Sequence, residues 1–164
     1  MPPETDNLKL EELYLADQAD RAKVYSSPTE IEGLQRRDVA RRDEVLEMMS
    51  RGDVGTANDL YHAGVILLHS AQPRDFLTAH RMATISAIMG HKGSRWLVAA
   101  SLDRFLMAIS QPQVYGTQFE HNPEDNRYQL RLPIDDAAVL SFEKKFFGVP
   151  LVVERLAQLN GRIQ

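Results

Sequence analysis

The feature that most constrains this chain is the stretch Trp96–Phe119, WLVAASLDRFLMAISQPQVYGTQF. It opens as a helix that is apolar almost all round, yet it carries Asp103 and Arg104 in its middle. It stops at Gln111-Pro112 and runs into a polar-aromatic loop, Tyr115-Gly116-Thr117-Gln118. A charge inside an apolar helix must be paired or must serve a function, because burying it alone costs several kcal/mol. The helix wheel places Asp103 with Trp96, Ala100 and Met107, and Arg104 nearer Leu97 and Ala108. Neighbours on different faces cannot close one surface bridge, so each is expected to find a partner elsewhere, with Arg21 and Asp17 as candidates.

The rest of the chain reads as more helices. Residues 8–24 form the first, with Leu10, Leu13, Tyr14, Asp17, Arg21 and Val24 on one broad face and Leu8, Leu15, Ala19 and Ala22 on a second stripe. Asp17 precedes Arg21 by four residues, the favourable order for a helical ion pair. Pro28 and the serines around it predict a linker from Tyr25 to about Gly33. A second helix is expected over 35–51, ended by Gly52 and Gly55.

Thr56 or Asn58 caps a third helix to about Ala71, apolar on both sides and therefore central. His62 and His69 project from it two turns apart, and Asp59 is placed to orient His62. A fourth helix, 74–89, carries Phe76, Ala79, Ala83 and Ala87, small residues that let helices approach closely. Ser94 caps the fifth. Short loops make these helices antiparallel neighbours. A short β-hairpin pairing about 117–121 with 127–132 follows, then a helix from Pro133 and Asp135 to Phe147 and a last one from Pro150 to about Gln158. The fold class is thus mainly α, a solenoid-like bundle of antiparallel helical hairpins with one β-hairpin near 117–132. At 164 residues it is read as one domain, with residues 1–7 a flexible tail.

Several function classes are argued against. Net charge is -4, and the basic cluster Arg36-Arg37, Arg41-Arg42 is interrupted by Asp38 and Asp43, so it reads as a solvated, salt-bridged face and no nucleic-acid partner is expected. No apolar run reaches about 18 residues, so no membrane span is expected. The start, MPPETDN, lacks the basic-then-apolar order of a signal peptide, and a cytoplasmic location is the default. Without cysteine there is no thiolate site or cysteine nucleophile. No phosphate-binding glycine loop, nucleophile elbow or dinucleotide fingerprint occurs, and the spacing of seven between His62 and His69 is not that of a zinc-protease helix. No metal and no cofactor are expected. His80, His91 and His121 read as packing, turn and surface residues.

The segments Asp17-Gln18-Ala19-Asp20-Arg21, Tyr61-His62-Ala63, His69, Leu102-Asp103-Arg104, Gln113-Val114-Tyr115-Gly116-Thr117-Gln118 and Gly148-Val149-Pro150-Leu151 resemble a widespread bacterial family catalogued as a domain of unknown function. The resemblance covers about residues 8–155, and the Tyr-Gly-Thr-Gln block after an Asp-Arg helix is its most specific part. It implies no established activity, but it does imply that the polar residues form one set. Gly64 and Leu67-Leu68 depart from the pattern.

Two expectations follow. In the first the chain is a binding module whose polar residues line a pocket for a small polar molecule or a peptide. Asp17, Arg21, Arg104, Tyr115, Thr117 and Gln118 are its ligand-binding candidates. Arginine would meet a carboxylate or phosphate, and Tyr115 and Gln118 would set orientation. In the second it is a small metal-independent enzyme. His62 or His69 is then the general base, Asp103 orients it, and Arg104 with Gln118 stabilises an anionic intermediate. A buried cross-helix network around Asp103 and a helix-capping role for the Tyr115–Gln118 loop are the structural alternatives.

Overall fold

Two capping boxes set where the central helices start. Ser27 and Glu30 exchange side-chain and backbone hydrogen bonds, as do Thr56 and Asp59, which satisfies amide groups that a helix start otherwise leaves orphaned. The computed structural model describes residues 3–161. Its helices are α1 (Leu8–Arg21), α2 (Pro28–Arg51), α3 (Ala57–Leu68), α4 (Pro73–Ile88), α5 (Ser94–Ala108), α6 (Ser141–Phe146) and α7 (Val152–Asn160), with strands β1 (Phe119–Asn122) and β2 (Arg127–Leu130) between α5 and α6. The fold is mainly α with one short antiparallel hairpin, in which Phe119 faces Leu130 and Asn122 faces Arg127. No helix of the described residues is long and apolar enough to cross a membrane.

α3 ends at Leu68 instead of near Ala71, and three further boundaries differ from the sequence expectation. α2 begins at Pro28, seven residues earlier than the expected 35, because proline at the first helical position lacks only an N–H that would go unused there. α1 stops at Arg21, leaving Val24 outside it, and the second stripe led by Leu8 and Leu15 faces solvent. The helix expected from Pro133 to Phe147 is broken: a 3-10 turn covers Asp136–Ala138, Val139 and Leu140 are extended, and α6 starts where the Glu143 carboxylate accepts the Leu140 N–H at 2.9 Å. The tail expected to be free through residue 7 is tied at its end. Asn7 caps α1 and donates its N–H to Asp59 Oδ1 at 2.8 Å, and Asp6 accepts from Asn58 at 2.7 Å.

α3 is the central element. Eight of its 12 residues are buried, and it packs against α1, α2, α4 and α5. One side joins Leu10, Val45, Met48 and Ala79 through Ala63, Ile66 and Leu67. The other joins Ala83, Leu97, Val98 and Ala100 through Val65 and Leu68. Gly64 makes the approach to α4 and α5 possible, since a Cβ there would stand 3.0 Å from Leu97 Cδ2 and 3.4 Å from the Ala79 carbonyl. A third cluster, Ala99, Tyr115 and Val149, fastens the loop after α5 and the C-terminal segment to the bundle. This packing brings the C-termini of α1 and α3, the middle of α5 and the Tyr115–Gln118 loop to one side of the molecule.

Candidate functional site

Asp103 is fully buried on α5, and its partners are the loop that follows. Oδ1 accepts the N–H groups of Val114 (2.8 Å) and Tyr115 (2.9 Å), and Oδ2 accepts the Thr117 N–H (2.9 Å) and hydroxyl (2.7 Å). Gly116, at φ +78°, supplies the left-handed turn that wraps the chain round the carboxylate. Gln113, also fully buried, braces the loop from inside. Its Nε2 donates to the Gln118 and Arg131 carbonyls, and its Oε1 accepts the Gln118 N–H at 2.9 Å. The expected pairing of Asp103 with Arg21, and its role in orienting a histidine, are therefore corrected: the carboxylate is saturated by backbone donors only 11 to 14 residues away. Tyr115 and Thr117 leave the ligand-binding set for the same reason. The Tyr115 hydroxyl points at Glu143 (3.4 Å), and Thr117 is taken by Asp103.

Arg104 turns the other way and has no carboxylate. Its Nε donates to Gln118 Oε1 at 3.1 Å and its Nη1 to the Leu68 carbonyl at 2.6 Å, with the Phe76 ring 5.9 Å away. Burial pulls the guanidinium below its ordinary proton affinity, and the Arg21 and Arg131 charges pull in the same direction.

One residue beyond Leu68 lies His69, at the C-cap of α3 rather than on its wheel. Its Nδ1 is 2.9 Å from Oδ1 of Asp17, which is 1% exposed. Gln18 Nε2 holds the other carboxylate oxygen at 2.9 Å, while Arg21 stands at 3.4 Å and Arg41 Nε at 3.9 Å. Burial pushes the Asp17 carboxyl up, but the His69 hydrogen bond and the charges of His69, Arg21 and Arg41 outweigh it, so Asp17 lies below the usual range. An ionised carboxylate accepts from Nδ1–H and so fixes which ring nitrogen faces Asp17, leaving Nε2 turned away from it. Nε2 has no hydrogen bond among the described residues, and Arg41 Nε is the only buried side-chain polar atom there without a partner.

His62 does not belong to this group. It is stacked on Tyr14 with centroids 4.2 Å apart, and burial lowers its pKa. Asp59, expected to orient it, instead caps α3 through the Thr56 and Gly55 amides at 3.2 and 3.3 Å. The expected catalytic trio of His62, His69 and Asp103 is thus dispersed into a packing residue, a cleft residue and a loop anchor.

Two clefts flank the elbow after α3. One, of about 600 Å³, lies between α2 (Asp38, Val39, Arg42) and residues 69–72 with Arg74. The other, of about 290 Å³, is bounded by Ser70, Phe76, Arg104, Met107, Gln118, Phe119 and Arg131. Ser70 borders both. Among the described residues no three of His, Cys, Asp and Glu are grouped as a metal would require.

The sequence reading missed the polar layer behind these clefts. The supposedly solvated face of α2 is partly buried. Arg41 is 6% exposed and donates to Asp20 (2.9 Å) and Asp38 (2.7 Å), Arg37 forks onto Asp20 at 2.8 and 3.1 Å, and Arg42 meets Asp75 at 2.5 Å. Arg36, bridged to Glu32 at 2.9 Å, and the exposed Arg37 behave as expected, whereas Arg41 does not. A usable signal was present: Arg37 and Arg41 share a helix face, and Asp17 and Asp20 sit on one side of α1 to receive them. Arg21 makes the expected contact with Asp17 but binds Asp38 more closely, at 2.5 Å.

Comparison with protein-family models, curated proteins and solved structures found no match to this chain. Its function is therefore read from the geometry of the elbow.

Proposed function

We propose that the elbow after α3 is a small-molecule site and that the protein binds an anionic polar ligand there, against Arg104. The pairing pattern of the arginines around the elbow carries this reading. Arg21, Arg41 and Arg42 each hold at least one aspartate, whereas Arg104 has only the amide oxygen of Gln118 and the carbonyl of Leu68. Its Nη2 makes no hydrogen bond among the described residues, and Arg104 lines the smaller cleft. A desolvated cation without counter-charge is costly, and a carboxylate or phosphate placed there gains a charge-assisted contact at a preorganised donor. Gln118, which fixes the guanidinium, retains the ligand-orienting role expected of it.

Thermal unfolding with acetate, malonate or inorganic phosphate, alone and in Arg104→Met, tests the site. The parent is expected to gain up to about 2.7 kcal/mol when an anion is present at 100 times its Kd. Arg104→Met removes that gain and changes the unliganded protein by less than about 1 kcal/mol, because an apolar chain of similar length relieves the buried charge. If no anion stabilises the parent and Arg104→Met costs several kcal/mol, Arg104 is scaffolding and the reading is overturned.

One observation favours a second reading, catalysis: the imidazole of His69 is held by a buried carboxylate and leaves Nε2 free. Asp17, rather than Asp103, is then the orienting acid of a general base. Asp17→Asn is expected to release the ring tautomer. By nitrogen-15 NMR the parent should carry the proton on Nδ1, and the variant a mixture of both forms. An unchanged tautomer in the folded variant would remove the dyad from consideration.

A further inference from the structure

We infer that the smaller cleft is a dianion site for a phosphate monoester, with Arg131 as its second guanidinium; this rests on the anion-binding reading above. Arg131 lines the cleft with Arg104 and has no ion pair among the described residues. Its charge acts on Arg104, and its backbone is tied to the same support. The Arg131 N–H donates to the Gln118 carbonyl at 3.1 Å, its own carbonyl accepts from buried Gln113, and Gln118 holds Arg104 Nε. The two arginines are thus registered to each other through one glutamine.

No acidic side chain lines this cleft. The nearby carboxylate, Asp75, accepts from Arg42 and from the Ser70 hydroxyl, each at 2.5 Å, and so is already neutralised. Two positive charges therefore face one small volume. A carboxylate or sulfate ester would balance one of them. A phosphate monoester, carrying roughly two negative charges at pH 7, balances both and offers oxygens to two guanidinium groups. Phe76, Met107 and Phe119 supply an apolar wall for the ester's carbon body, and about 290 Å³ admits a phosphate with a short or single-ring substituent. The larger cleft lacks this bias, because Asp38 stands there beside Arg42 and Arg74.

The test is calorimetric titration of the full chain at pH 7.5 with phenyl phosphate and phenyl sulfate, which share shape and body but differ by about one charge. Phenyl phosphate is expected to bind at least about tenfold more tightly. Arg131→Gln should erase that preference by weakening phenyl phosphate at least about tenfold more than phenyl sulfate, and Arg131→Lys, which keeps the charge, should retain most of it. Equal binding of the two probes, or a preference that survives Arg131→Gln, overturns the dianion site. If Arg104→Met still abolishes both titrations, the broader anion reading stands. If neither probe binds the parent, both fall.

Discussion

Asp103→Ala is expected to lower stability by at least about 4 kcal/mol, the largest loss of any single substitution on α5. Three backbone N–H groups, those of Val114, Tyr115 and Thr117, converge on this carboxylate together with the Thr117 hydroxyl. Alanine leaves those donors without their partner in a loop that is buried at Tyr115 and partly buried at Val114 and Thr117, at about 1–3 kcal/mol each. Asp103→Asn tests the geometry more finely. Its amide oxygen still accepts from one side, but its NH₂ meets a donor on the other, so roughly half the loss is expected. Urea unfolding reads both numbers, and hydrogen exchange at 114, 115 and 117 should accelerate before the rest of α5 opens. A loss under about 1 kcal/mol for Asp103→Ala would show that the loop is held otherwise, and would return Asp103 to the candidate site.

Asp20→Ala comes next, at about 3–5 kcal/mol. Asp20 accepts from Arg37 Nε (2.8 Å), Arg41 Nη1 (2.9 Å) and the Tyr25 hydroxyl (2.9 Å), and so joins the end of α1 to the middle of α2. Removing it leaves Arg41, which is 6% exposed, hydrogen-bonded to Asp38 alone, with Asp17 at 3.9 Å. The same network makes stability depend on acid. The Arg37 hydrogen bonds, then those of Arg41 and Tyr25, hold the Asp20 carboxyl far below its ordinary 3.8, and Asp17 is also lowered. A carboxylate that binds its proton more weakly when folded contributes its full stability above the unfolded pKa. That contribution is lost as pH falls through the folded value. Denaturant midpoints measured from pH 5 down to about 2 should therefore decline below about pH 4 in the parent and decline less in Asp20→Asn. Parallel curves would show that the network is not what acid breaks.

Several parts of this molecule were legible because they depend on neighbours in the chain. The Asp17–Arg21 contact follows from a spacing of four, the hairpin from Pro123–Asn126 between alternating residues, and the central place of α3 from apolar residues on both its faces. The polar character of the elbow was legible too, since His69, Arg104 and Gln118 were candidates and all three line its clefts. Partner choice was not. The helix wheel separated Asp103 from Arg104, adjacent positions pointing about 100° apart, but not the loop amides and the Leu68 carbonyl that each would reach. Asp59 and Asp103 were the acids expected to orient a histidine and neither hydrogen-bonds one, whereas Asp17, expected to pair with Arg21, reaches His69.

By itself the sequence determined the helical class, the hairpin, the burial of α3 and the presence of unavoidable polar groups in the core. Periodicity, caps and turn residues are local and need no knowledge of the rest of the chain. The tertiary structure alone decided which carboxylate met which cation, that Arg41 is buried while Arg36 is not, and that Arg104 and Arg131 share a cleft without an acid. Those outcomes depend on contacts spanning 17 to 52 residues, where a shift of one helical position exchanges one donor for another.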